Sequence, residues 1–450
     1  MCRGWSGCTL RHKAVAKRLP AGAPPLRNLF LISYVLLMLL TAKGAFLIDE
    51  RIGIVFFFIL LLPLFCMLKW PDQPFLLYVG FSAMLIGKFV YAVSSTPLKG
   101  PDENNYYAQV QSYLGLGDFL SYASEHISTY LFNSSAYPIF GLMYMPFYKL
   151  LNVSDPLVII TYNSILLIWI AYMLYALNKA YFGFELVNRR LYEGWIILGL
   201  FLSPSFMMMS SLFAKDVTCV ALGLYCTYLL MSRKYFWFLI VMLYATGLRD
   251  YAIVYTLCFY LLFTRRFKIA LSMLLVSAGV LAVKIGGLGL VNAFLLTAFL
   301  FMSPNPINLE NWEPHVFYRS LEAVSMLVAL VLAVLMYIRY KETRRFYLFC
   351  LVLLFAYACT LVLVGYMTVT GRNLDYGLGT IGDNMVRKKL PILPLLYMFQ
   401  AYTACYTVKW LATIRNKRRG RHERPRPVSQ IQGGAGHRHP HPSSLPEAGA

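Results

Sequence analysis

Charge is scarce in this chain, and acid is scarcer still. Only 14% of the 450 residues are charged, where soluble globular chains carry roughly a quarter, and 20 Asp and Glu face 41 Lys and Arg. With 59% hydrophobic residues, the chain cannot cover a water-facing surface, which excludes a soluble enzyme and a disordered scaffold. The nine cysteines, at 2, 8, 66, 219, 226, 258, 350, 359 and 405, form no C-x-x-C or Cys/His cluster. Neither a zinc site nor a disulfide framework is indicated, and they read as small core residues. A Walker-type loop, a dinucleotide-binding glycine pattern and a long soluble region are missing as well. These absences argue against an ATP-driven pump and an enzyme with a cytosolic catalytic domain, and no nucleotide or redox cofactor is indicated.

What is present is a succession of apolar runs, and a run of about 20 apolar residues spans the hydrocarbon of a bilayer as a helix. Candidate spans are 28–48, 52–68, 75–95, 157–177, 194–213, 216–232, 235–248, 251–263, 269–302, 321–338, 346–369 and 391–412. The expected fold class is all-α: a polytopic helical bundle of about twelve membrane helices, without a soluble domain. The spans 235–248 and 251–263 are short and flank Arg249-Asp250, and 269–302 is long and holds Lys284, Gly286, Gly287 and Gly289, so it reads as broken or partly re-entrant. The stretch 136–151 contains two prolines and reads as interfacial or re-entrant.

Orientation follows from Lys and Arg, which short cytoplasmic loops retain. With both termini inside, almost every basic doublet between helices falls inside, Arg387-Lys388-Lys389 excepted. Residues 1–27 form a basic cytoplasmic arm that leads into an uncleaved first helix, and 28–412 form the membrane domain. Residues 413–450, rich in Arg, His, Pro and Gly, read as a disordered basic tail attracted to anionic headgroups. The tail offers no aromatic platform and no folded basic module, so nucleic acid is not an expected partner.

The same threading puts the remaining polar segments on the outer face, in loops 96–156, 303–320 and 370–389 and in the turns at Lys215-Asp216 and Arg249-Asp250. Ionisable groups at membrane depth usually line a functional cavity, so acids and bases gathered at one face point to a charged ligand. Asp102 and Glu103 follow a Gly-Pro break at the start of an expected helix. They suit N-capping and equally suit deprotonation of an acceptor hydroxyl. Lys215 can meet a phosphate as a point charge, and Arg249 can grip one bidentately; Asp216 and Asp250 support them. The 370–389 loop brings Arg372 and the run Arg387-Lys388-Lys389, read either as snorkelling anchors or as a cationic clamp for diphosphate. His315 and Arg319, beside Trp312, complete the candidates. No residue set is assigned to a metal.

Three patches carry a resemblance. Asp102-Glu103 with Tyr106 and Ala108 looks like the acidic outer loop of bacterial GT-C glycosyltransferases. Ser203-Pro204-Ser205, Ser211, Lys215-Asp216 and then Arg249-Asp250-Tyr251 resemble that group and the membrane polymerases of O-antigen and capsule, and Arg387 before Leu390-Pro391 and Pro394 is similar to their late Arg-and-Pro segment. The resemblance implies a bacterial inner-membrane glycosyltransferase or polymerase of cell-surface polysaccharide. Its substrates would be a polyprenyl-phosphate-linked sugar and a glycan acceptor at the periplasmic face, with membrane lipid and other polysaccharide-assembly proteins as partners. On it, Asp102 or Glu103 is catalytic, Lys215, Arg249, Arg372 and Arg387 hold the lipid phosphate, and a divalent cation stays open. Three spans precede the acidic loop, where those enzymes commonly have one, and no soluble periplasmic domain follows, which shifts weight towards the polymerases. A transporter or flippase of lipid-linked or anionic substrates is the alternative.

Overall fold

The computed structural model describes residues 96–112, 136–150, 154–156, 158–313, 317–371, 375–379 and 385–422, with isolated positions at 49, 53, 117, 118, 120, 121, 124 and 125. It is all-helical, with no strand among the described residues. The chain divides into two units, Met1–Tyr406 and Thr407–Ala450, and the site below lies in the first. The helices are α1 (Pro101–Gln111), α2 (Ala136–Leu150), α3 (Val158–Tyr181), α4 (Arg189–Leu202), α5 (Pro204–Met209), α6 (Asp216–Met231) and α7 (Tyr235–Leu248). They continue as α8 (Ala252–Thr264), α9 (Phe267–Ile285), α10 (Gly287–Met302), α11 (Phe317–Arg339), α12 (Arg344–Gly371), α13 (Met385–Lys389) and α14 (Leu393–His422).

Helix α6 is the centre of the bundle. Its sequence, DVTCVALGLYCTYLLM, is apolar around the whole circumference, as a helix enclosed on all sides must be. It packs on α3, α7, α8 and the turn 390–392, and its first residue, Asp216, is 1% exposed. Helix α9 is the opposite case: Ala270 and Leu281 are its buried residues, while Val276 and Val283 stand 66% and 85% exposed. An exposed apolar face on an apolar helix is compatible with hydrocarbon as its solvent. The six cysteines within the described residues are buried and unpaired.

Four helical stretches among the described residues are long and apolar enough to cross a membrane: α3, α9, α11 and Lys341–Gly371. Helices α6, α7, α8 and α10 are apolar but shorter. The described residues do not confirm the expected count of about twelve; the spans 28–48, 52–68 and 75–95 lie outside them, apart from the isolated position 53. The expected break in 269–302 is real: Gly286, at φ +77°, takes a left-handed conformation that costs a glycine nothing and separates α9 from α10. Likewise α7 and α8 end and begin on either side of Arg249–Tyr251.

Within the stretch expected to be interfacial or re-entrant, Ala136–Leu150 form a regular helix, α2, packed on α1 and α7. One expectation changes. Residues 413–422, expected to be disordered, continue α14, because Lys and Arg are good helix formers and cations in a last turn suit the helix dipole. The remainder of 413–450, and the arm 1–27, lie outside the described residues.

Candidate functional site

Five segments that the sequence threading puts on one side meet at one end of the bundle. The 96–100 segment is held there by the Phe213 amide, which donates to the Pro97 carbonyl at 3.1 Å. Pro101 then opens α1 at a position where a missing N–H is harmless, and Asp102 and Glu103 occupy its first turn. The break at Ser203-Pro204 separates α4 from α5, and the chain then turns into α6 at Asp216.

Asp216 organises a chain of charges. One of its carboxylate oxygens accepts from Arg249 Nη2 and the other from Arg387 Nε at 3.2 Å. Arg387 Nη1 reaches on to Asp102 at 2.9 Å, and Arg249 Nη1 donates to the Tyr251 hydroxyl at 2.9 Å. Residues at 102, 216, 249 and 387 therefore form one network across four elements. Both arginines are largely neutralised by these acids, which reduces what they can offer a phosphate. The Asp102 carboxylate is likewise engaged, by Arg387.

Glu103 is placed differently. It is 7% exposed and makes no hydrogen bond or ion pair among the described residues, and it lines a cavity of about 490 Å³. Gly100 allows this placement: a Cβ there would stand 2.7 Å from Glu103 Oε2, so the carboxylate folds back over bare backbone. Across the same cavity Arg319, from the first turn of α11, has no carboxylate partner among the described residues. Its Nη1 lies 3.3 Å from Met208 Sδ, and its Nε is buried without a hydrogen bond. Lys99, Arg387, Ser303 and Asn305 complete the polar lining, and Met208, Met209, Leu212 and Phe299 the apolar lining. A burial cost on both an acid and a guanidinium, with neither neutralised among the described residues, fits a cavity prepared for a polar ligand.

Lys215, half-buried at the head of α6, makes no ion pair through its ammonium among the described residues. Burial, with Arg249 nearby, pushes its pKa down to about 8. Asp250 is exposed. His315 and Arg372 lie outside the described residues. No group of three or more His, Cys, Asp or Glu gathers among the described residues.

The basic run 387–389 is not a row of snorkelling anchors. Lys389 is fully buried, 2.7 Å from Glu322 Oε1 and 2.8 Å from the Ser303 carbonyl, so it is unavailable to a diphosphate. Glu322 accepts further bonds from Ser203 Oγ at 2.7 Å, Ser205 N at 3.1 Å, Ser205 Oγ at 2.8 Å and Tyr397 Oη at 3.3 Å. Sequence reasoning passed over Glu322, although an acid inside the apolar run of α11 was a signal in itself. The Glu322–Lys389 pair ties α11, the α4–α5 break and α13 together, and so fixes Arg319 and Arg387 against one cavity. No family model matches the chain, and no curated protein or solved structure proved similar to it.

Proposed function

We propose that the chain is a multi-pass membrane glycosyltransferase or polymerase acting on a polyprenyl-phosphate-linked sugar at the outer face of a bacterial inner membrane. The observation that carries the reading is the cavity in which Glu103 and Arg319, neither of which has a counter-charge among the described residues, share one lining. Glu103 takes the proton of an acceptor hydroxyl, the acceptor oxygen bonds to the anomeric carbon, and the bond from that carbon to the lipid phosphate breaks. The departing phosphate gains negative charge, which Arg319 and the network arginine Arg387, both in the cavity lining, stabilise electrostatically, and Lys215, outside that lining, adds its charge from the head of α6. Asp102 acts through Arg387, as a positioning residue. The cavity volume of about 490 Å³ lies in the range of small-ligand sites.

Turnover of a lipid-linked sugar by detergent-purified protein tests this. Glu103→Gln is expected to lower kcat by about a hundredfold or more, the usual weight of a general base, and Asp102→Asn by clearly less. Undiminished turnover in Glu103→Gln overturns the assignment. No turnover in detergent, combined with substrate movement across sealed vesicles, replaces it with a transporter.

A further inference from the structure

A second cavity, of about 750 Å³, is lined by the turn between α8 and α9 and by the segment that opens α12. Six cationic side chains line it: Arg265, Arg266, Lys268, Lys341, Arg344 and Arg345. No acid belongs to the lining, and none of the six has a carboxylate partner among the described residues; Glu342 stands beside Lys341 outside the lining. Arg265 and Arg344 are anchored, the first by Nη1 to the Gly183 carbonyl at 3.1 Å and the second by Nε to the Tyr337 carbonyl at 3.1 Å. Arg266, whose guanidinium lies over the Tyr260 ring at 5.9 Å, Lys268, Lys341 and Arg345 are exposed residues whose heads make no ion pair among the described residues.

Helices α9 and α12 pack side by side, and both begin at this cleft. Their N-termini add two positive dipole ends to six cations, an arrangement that is unfavourable by itself, because first-turn positions favour anions. The positive-inside bias accounts for basic loops. It does not account for two such loops converging on one acid-free cavity. Ile269 and Leu348 line the same cleft and are 48% and 44% exposed, so its cationic part continues into an apolar one.

We propose that this cleft binds the phosphate headgroup of an anionic phospholipid, with the acyl chains passing Ile269 and Leu348 along α9 and α12. The site rests on the chain spanning a membrane and is independent of glycosyl transfer at the other cavity. The test is thermal unfolding of the detergent-solubilised full chain titrated with diphosphatidylglycerol or with phosphatidylcholine. The anionic lipid stabilises the wild type and the zwitterionic one does not, since a ligand that favours the folded state raises its stability. The variant R266Q/K268Q/R345Q loses about tenfold or more in apparent affinity, since each cation beside an anionic headgroup adds to the attraction. A control with as many charges removed elsewhere, K179Q/R190Q/K234Q, keeps the effect. Equal losses in the two variants, or no stabilisation by the anionic lipid, overturn the site. Stabilisation by inorganic tripolyphosphate without any response to the lipid assigns the cleft to a soluble polyanion and overturns it too. Recovery of the wild type in solution without detergent removes the membrane reading and this site with it, whereas loss of sugar turnover alone leaves the site standing.

Discussion

Replacing Lys389 with methionine leaves Glu322 as a buried carboxylate with four neutral donors and no cation. The Nζ–Oε1 separation of 2.7 Å corresponds to an attraction of about 6 kcal/mol at an effective dielectric of 20, most of which offsets the desolvation of the two charges. Removing one partner is therefore expected to cost about 3–5 kcal/mol. Lys389→Met combined with Glu322→Gln costs less than the sum, because no isolated charge remains. The four proteins of a double-mutant cycle, unfolded by denaturant in one detergent, give the coupling energy directly. We expect at least about 2 kcal/mol, within the span seen for residues in contact. The Lys389→Met variant should also lose lipid-linked turnover, since α13 carries Arg387 two positions earlier. A coupling below about 0.5 kcal/mol, the level of independent sites, would refute the pairing and the claim that it fixes the cavity wall.

Gly100→Ala is expected to preserve folding, because its backbone at φ −139° and ψ 177° is extended and open to any residue. The new methyl group displaces the Glu103 carboxylate, so turnover falls about tenfold or more at unchanged Tm; a parallel loss of both would contradict this. For Lys215, which is protonated below about pH 8, a contribution to phosphate binding declines as pH rises through that value, and Lys215→Met should abolish that limb of the KM–pH profile. The sign for stability is opposite: a lowered folded pKa penalises the charged form, so stability rises with pH between about 8 and the ordinary lysine range. Asn292 donates to Tyr376 Oη at 2.8 Å and the Gly377 carbonyl at 3.1 Å and accepts from Gly379 N at 3.0 Å. Asn292→Ala should cost about 1–3 kcal/mol and speed hydrogen exchange within 375–379, and unchanged exchange would count against that clamp.

The sequence alone determined the helical class, a break within 269–302 and the split of α7 from α8. It also determined the set of polar segments that meet at one end of the bundle. Those features follow from local chemistry: apolar run length, glycine conformation and the placement of Lys and Arg. It could not rank the charges within the set. Asp102 and Glu103 are adjacent and alike in sequence, yet Arg387, 285 positions away, engages one, and the bare backbone of Gly100 shelters the other. Arg249 and Arg387 read in sequence as open phosphate contacts, yet Asp216 lies between them, and Arg319, merely a supporting residue in sequence, is a cavity guanidinium with no carboxylate partner among the described residues. Glu322 and Lys389 are 67 residues apart in the sequence and became a pair only because the tertiary fold brings α13 within ion-pair reach of α11. A carboxylate's availability depends on which cation lies within a few ångströms of it, and in a bundle of similar apolar helices that distance is decided by tertiary packing.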